Sequence, residues 1–157
     1  MTTPGRRPLR FESFDDVMPD VERLMLGHST VGAWSLAQIC RHLAIVIRRV
    51  VDLPASAPHD PSKLLGDDRK REVFESGLLP EGMPGPPELF PSETLGERQE
   101  ADGLRDAILH YQASPGPVAP HRLFGPLTKA EWDQIQRIHL AHHLSFATPT
   151  PSGATVA

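Results

Sequence analysis

The sequence of 157 residues contains a single cysteine, so no disulfide can form within the chain. No apolar run approaches the roughly 20 residues that a membrane-spanning helix needs. The two arginines near the N-terminus are followed by no apolar stretch, which argues against a signal peptide. A net charge of −4 and the lack of a basic stripe argue against binding to nucleic acid. Together these absences predict a cytoplasmic protein with neither a membrane nor a nucleic-acid partner.

Motifs for several common cofactors are missing as well. The sequence has no Glu-x-x-His pair for a di-iron carboxylate site, no Cys-x-x-Cys-His for covalent haem and no glycine-rich phosphate loop. Cys40 falls on the apolar arc of a predicted helix, where a small buried hydrophobe is the expected role. Two residue types are unusually frequent, namely proline with 17 and histidine with 8.

Four segments show helical periodicity, and three of them begin with a capping box. The boxes are Ser13 with Asp16, Ser35 with Gln38, and Thr128 with Glu131. The predicted helices cover residues 13 to about 25, 35 to about 53, 94 to about 112, and 128 to about 146. Pro19 predicts that the first helix has a distorted first turn or begins nearer to Met18. No segment predicts a strand.

A long connection, residues 54–93, separates the second and third predicted helices and carries 8 of the 17 prolines. One short helix is predicted within it, at about residues 61–76, and the rest must be extended or turning. Such a segment is typical of a functional cover or of disorder. The predicted fold class is all-α, a four-helix bundle with one long proline-rich crossover. Its single domain covers residues 13–146, between an extended arm (1–12) and a flexible tail (147–157).

Three histidines occur among apolar residues in the stretch RIHLAHHLSF, residues 137–146. His139 and His143 are four positions apart and project from one helix face, so both imidazoles can bind one divalent ion. His42, at the edge of the apolar arc of the second helix, is the best candidate for a third ligand. Three histidines with one open position are typical of catalytic zinc. Zinc, nickel, iron, manganese and copper all remain candidates, as does a metal-free site with hydrogen-bonded histidines.

Three further residues could serve such a site. His121 could donate a proton, hold the substrate or orient a metal ligand, or it could make a purely structural hydrogen bond. Arg122 could bind a substrate carboxylate, cap a helix or remain solvated. His142 lies about 60° from His139 around the helix, near the buried arc, and could contact the substrate or complete the coordination.

The segments WSLAQICRHLA and HLAHHLSF resemble the DinB/YfiT-like superfamily of four-helix metalloenzymes, in particular a subgroup of small bacterial proteins that share the ending HRLFGPLT…W…H..HHLSF. The resemblance implies that His42, His139 and His143 bind a divalent metal ion. It also implies a small-molecule substrate, with a low-molecular-weight thiol as a candidate, and a homodimer. On this basis thiol-dependent transfer is favoured, with metal-assisted hydrolysis next. The alternative is a non-catalytic binding or interaction bundle whose metal, if any, supports folding.

Overall fold

The computed structural model describes residues 2–151, and this part of the chain is mostly helical. It contains five α-helices, α1 (Val17–Met25), α2 (Leu36–Asp52), α3 (Asp67–Ser76), α4 (Glu97–Ala113) and α5 (Lys129–Leu144). One small antiparallel sheet consists of β1 (His28–Thr30) and β2 (Ala147–Pro149). Short 3-10 turns occupy Phe14–Asp16, Pro61–Lys63 and Pro87–Leu89. None of the described helices is long and apolar enough to cross a membrane.

The three predicted capping boxes are all present and set where the chain enters its helices. At the start of α2 the hydroxyl of Ser35 accepts from the backbone N–H of Gln38, whose side-chain oxygen accepts in return from the N–H of Ser35. The box at Thr128 does the same for α5. The box at Ser13 closes a 3-10 turn that precedes α1. The α-helix itself begins at Val17, so the start near Met18 that Pro19 predicted is confirmed, and the turn before it is a distorted one.

The short helix predicted within the proline-rich connection is divided in the structure. A 3-10 turn at Pro61–Lys63 is followed by α3, which begins only at Asp67. Between them Gly66 has a φ of +86°, a conformation that a right-handed helix cannot contain. The predicted short helix is therefore present only over Asp67–Ser76, and the break at the glycine was not predicted.

The prediction that the chain has no strand is wrong. β1 and β2 pair with His28 opposite Pro149, and each strand is only three residues long, too short for an alternating pattern to be visible. α5 ends at Leu144 rather than near Phe146 because the chain then turns into this pairing. β2 thus takes up part of the segment predicted as a flexible tail, while residues 152–157 lie outside the described residues.

The main core is built by apolar side chains of α1, α2, α4 and α5, and α2 makes its most extensive contact with α4. Cys40 lies in this core, and burial raises the pKa of its thiol to about 12, in agreement with the predicted role as a small hydrophobe. A second cluster brings Val73 of α3 together with Trp132 and Ile135 of α5. The predicted four-helix bundle is not confirmed, because α3 is a fifth helix that packs against this second cluster.

Candidate metal centre

Three histidines from two helices converge between α2 and α5. His42 lies in the second turn of α2, and His139 and His143 lie one turn apart near the end of α5. Each offers a ring nitrogen, and these three nitrogens lie within 4.8 Å of one another. The structure thus brings together the three residues that the sequence singled out, and together they could hold a metal ion.

The spacing of the two nearest nitrogens fits a shared ion. Nε2 of His42 lies 3.4 Å from Nε2 of His139, which is long for a hydrogen bond between two nitrogens. Two imidazole nitrogens that each lie about 2.0–2.1 Å from a tetrahedral zinc ion are about 3.3–3.4 Å apart. The donor set, the distance and the geometry therefore fit a divalent cation.

A backbone carbonyl fixes the orientation and the tautomer of His42. Nδ1 of His42 lies 2.5 Å from the carbonyl oxygen of Leu89, in the proline-rich connection. Because a carbonyl oxygen only accepts, Nδ1 must carry the proton and donate it. Nε2 is then left with a free lone pair directed at the other two histidines. Metal-binding histidines commonly have their second nitrogen held in this way.

Burial keeps the three imidazoles neutral near pH 7. Desolvation lowers the pKa of His42, against a smaller opposing effect of the hydrogen bond to Leu89. Desolvation and the neighbouring histidines hold the pKa of His139 and that of His143 well below the usual value. Neutral imidazoles have the lone pairs that metal coordination requires, and they do not repel one another as cations would.

Aromatic rings cover the cluster on the side of α2. The ring centroid of Trp34 lies 4.9 Å from that of His42 and 5.6 Å from that of His143, and Phe90 stacks on His42 at 5.8 Å. Among residues 2–151, no cysteine, carboxylate or further histidine belongs to the three-histidine group. Three protein ligands leave one position of a tetrahedral ion open for water or substrate.

A cavity of about 580 Å³ adjoins the three histidines, and all three contribute to its wall. The wall is mostly apolar, with Val46 and Val50 from α2 and Trp132 and Ile135 from α5. The proline-rich connection supplies another part of the wall, between Leu79 and Phe90. A volume in this range is typical of sites for small organic ligands.

His121 lines the same cavity but does not join the metal group. Its Nδ1 accepts from the backbone N–H groups of Leu123 and Phe124, at 3.0 and 3.3 Å. These bonds form inside a tight turn in which His121 and Gly125 exchange two backbone hydrogen bonds, and Gly125 provides the required φ of +71°. Since Nδ1 accepts, the ring proton resides on Nε2. Burial, and to a lesser extent Arg122, lowers the pKa of His121 to about 4, so the ring is neutral.

The other two predicted residues lie at the edge of the cavity. The ring of His142 packs against that of His143, and its Nδ1 lies 3.4 Å from Nη2 of Arg6 in the N-terminal arm. Burial and Arg6 lower the pKa of His142 to about 4. Arg122 is exposed and donates to the carbonyl oxygen of Pro84, so part of its guanidinium is already engaged.

Sequence reasoning missed Gln136, which lies on α5 three positions before His139 and seven before His143. Its side chain lines the cavity and is only 3% exposed. Within the described residues, its Oε1 is the one buried side-chain oxygen or nitrogen that has no hydrogen-bond partner. The i, i+3, i+7 spacing of Gln136 with the two histidines was visible in the sequence and could have identified it.

A family model described as "Protein of unknown function (DUF1569)" matches residues 4–150, so the chain belongs to this family. The assignment contradicts the DinB/YfiT-like superfamily that the segments around His42 and His139 suggested, since short histidine motifs on helices arise in unrelated proteins. No curated protein and no solved structure matches the chain.

Proposed function

We propose that the protein is a metal-dependent enzyme that binds a divalent cation through His42, His139 and His143 and acts on a small molecule in the adjoining cavity. One observation carries the proposal. Two imidazole nitrogens from different helices stand 3.4 Å apart, and one of them belongs to a ring whose other nitrogen is tied to a carbonyl oxygen. Such an arrangement leaves lone pairs directed at a common centre that borders a cavity.

The residues around the proposed metal centre would each contribute to its chemistry. A divalent ion held there would act as a Lewis acid towards an oxygen, nitrogen or sulfur atom at its open position. Leu89 holds the ring of His42 in one orientation, so the ligand set is preorganised. Trp34 and Phe90 exclude water from one side of the cluster, which strengthens electrostatic interactions at the centre.

Hydrolysis and group transfer are the two reaction classes that suit such a centre. The thiol-dependent transfer that was favoured from the resemblance loses that support with the family assignment. A low-molecular-weight thiol remains a candidate co-substrate only because thiolate sulfur is a good ligand for zinc. The apolar wall of the cavity favours a substrate with a substantial hydrocarbon part.

A second candidate function is a non-catalytic small-molecule-binding protein, and a specific observation favours it. Two groups at the cavity that could act as a general base are already engaged. Nδ1 of His121 accepts from the backbone, and the carboxylate of Glu81 accepts from Thr3 and Arg6, which lower the pKa of Glu81 to about 2. Binding of a ligand without turnover by the metal-loaded protein would favour this alternative.

The metal site is tested by measuring metal content after purification and after equilibration with zinc, for the wild type and for His139→Ala and His143→Ala. We expect about one ion per chain in the wild type and an affinity at least about 100-fold lower in each variant, since a protein ligand is lost. His110→Ala is the matched control, because His110 is exposed and pairs with Asp52 away from the cavity. Folded variants that retain the metal content of the wild type would contradict the proposal.

A further inference from the structure

Gln136 is a buried polar residue whose side chain makes no hydrogen bond within the described part of the protein. Its side chain is 3% exposed, its Oε1 has no hydrogen-bond partner, and no hydrogen bond within the described residues involves its Nε2. A buried amide oxygen without a partner destabilises the folded protein, so native structures contain few of them. A group of this kind on the wall of a cavity has the character of a ligand-binding residue.

The position of Gln136 on α5 places it between two other features of the cavity. Trp132, Gln136, His139 and His143 follow one another at spacings of four, three and four residues, so they share one face of the helix. The ring of His121 packs on Trp132 with centroids 5.2 Å apart. Gln136 therefore lies along this face between the turn that carries His121 and the histidine cluster.

The hydrogen bonds of His121 specify what this ring can offer to a ligand. Because Nδ1 accepts from the N–H groups of Leu123 and Phe124, Nε2 carries the proton. No hydrogen bond within the described residues engages Nε2, so it is available as a donor, while the amide of Gln136 offers both a donor nitrogen and an acceptor oxygen.

We propose that Gln136 and His121 form a binding subsite for a neutral amide group of the ligand, such as a carboxamide, a lactam or a urea. A carboxamide side chain pairs best with a group that donates and accepts at adjacent atoms, and an amide does both. The imidazole of His121 then donates to the second lone pair of the ligand carbonyl oxygen. The hydrocarbon part of the ligand occupies the apolar remainder of the cavity.

A neutral group is specified because neither residue of the subsite carries a charge, and the neighbouring guanidinium of Arg122 is exposed and donates to the carbonyl oxygen of Pro84. Gln136 does not ionise, and burial keeps the ring of His121 uncharged. A carboxylate bound by these two side chains would be buried without a cation in the subsite itself, and it would supply no donor to Oε1 of Gln136. The inference rests on the proposed function in one respect, namely that the amide-bearing molecule is the substrate; its binding does not require the metal.

Calorimetric titration with benzamide, acetophenone and benzoate tests the subsite, on zinc-loaded and on chelator-treated protein. Benzamide donates and accepts, acetophenone only accepts, and benzoate is charged. The only two tryptophans, Trp34 and Trp132, both line the cavity, so quenching of their fluorescence verifies that the probe enters it. We expect wild-type protein to bind benzamide about tenfold more tightly than acetophenone or benzoate, in both metal states.

Gln136→Met preserves the volume of the side chain and removes both hydrogen-bonding atoms. We expect it to weaken benzamide binding about tenfold and to retain the metal content of the wild type. Acetophenone binding should weaken less, because this probe loses only the hydrogen bond from Nε2 of Gln136 to its carbonyl oxygen. Gln134→Met is the matched control on the same helix, since Gln134 donates to the carbonyl oxygen of Phe74 outside the cavity. The control should keep the benzamide affinity of the wild type.

The outcomes separate this subsite from the metal site. Loss of metal from the histidine variants bears only on the proposed function, whereas benzamide discrimination bears only on the subsite. Equal binding of the three probes by the wild type, or an equal loss of benzamide and acetophenone binding in Gln136→Met, would overturn the inference. A markedly lower melting temperature of Gln136→Met would also overturn it, because the amide would then be a structural partner.

Discussion

Buried polar groups on the two sides of α2 differ in whether they have hydrogen-bond partners within the protein. On the side of α4, Glu100 is buried and its carboxylate accepts two hydrogen bonds from Arg41, at 2.7 and 2.8 Å. On the side of α5, His42 faces His139 and His143 with an uncommitted nitrogen, and Gln136 has no partner for its Oε1. The first interface satisfies its polar groups internally, and the second leaves them available to a ligand.

This difference distinguishes a packed interface from a candidate binding site within one small protein. The core between α2 and α4 has the dense packing that makes interiors sensitive to the loss of single methylene groups. The region between α2 and α5 contains the cavity of about 580 Å³ instead. Stability should therefore depend mainly on the first region and ligand binding on the second, and three predictions test this division.

The largest effect is expected from the same truncation made in each region. Ile47→Ala removes a fully buried side chain of the main core and should lower the free energy of unfolding by about 3–4 kcal/mol. Ile135→Ala removes atoms that already border the cavity, so we expect a smaller loss of about 1–2 kcal/mol. Urea unfolding of the two variants measures the contrast, and equal losses would show that the cavity wall is packed as tightly as the core.

The next effect concerns the dependence of stability on pH. The pKa of His121 is about 4 in the folded protein and about 6.5 when unfolded. Between these values the unfolded chain binds a proton that the folded protein does not. The contribution of neutral His121 to the free energy of unfolding is therefore fully present above pH 6.5 and is lost as the pH decreases towards 4. The loss from this one group is about 3 kcal/mol.

The His121→Asn variant, studied as metal-free protein, tests this dependence of stability on pH. An asparagine oxygen can accept from the same backbone N–H groups, yet the side chain does not titrate. Chemical unfolding at several pH values should therefore show a shallower loss of stability in acid for this variant than for the wild type. A slope for His121→Asn equal to that of the wild type would contradict the assignment.

The smallest effect is expected from the ion pair on the side of α4. Arg41→Ala leaves the Glu100 carboxylate, whose side chain is 7% exposed, without its partner. We expect a loss of about 2 kcal/mol, less than for a fully buried pair because the arginine side chain is itself 34% exposed. Arg69→Ala breaks an exposed pair with Glu72 and should cost less than about 0.5 kcal/mol. Similar losses of stability for Arg41→Ala and Arg69→Ala would show that the buried ion pair with Glu100 matters no more for folding than an exposed one.

Much of the helical structure and the three histidines of the candidate metal centre could be predicted from the sequence. Capping boxes at Ser35 and Thr128 act through hydrogen bonds three residues apart, and the spacing of His139 and His143 follows from the helical repeat, so local rules were sufficient. The strands were missed because their pairing joins residues about 120 positions apart over only three residues each. The family resemblance failed because it rested on short motifs.

By itself, the amino-acid sequence determined where α2 and α5 begin and which helix faces are apolar, because both depend on residues within a few positions of one another. The tertiary structure alone decided that the carbonyl of Leu89 reaches His42, that His121 keeps its proton on Nε2, and that Gln136 stands at the cavity without a partner. These contacts join residues brought together by packing, and the pKa values and tautomers that define the chemistry depend on that burial.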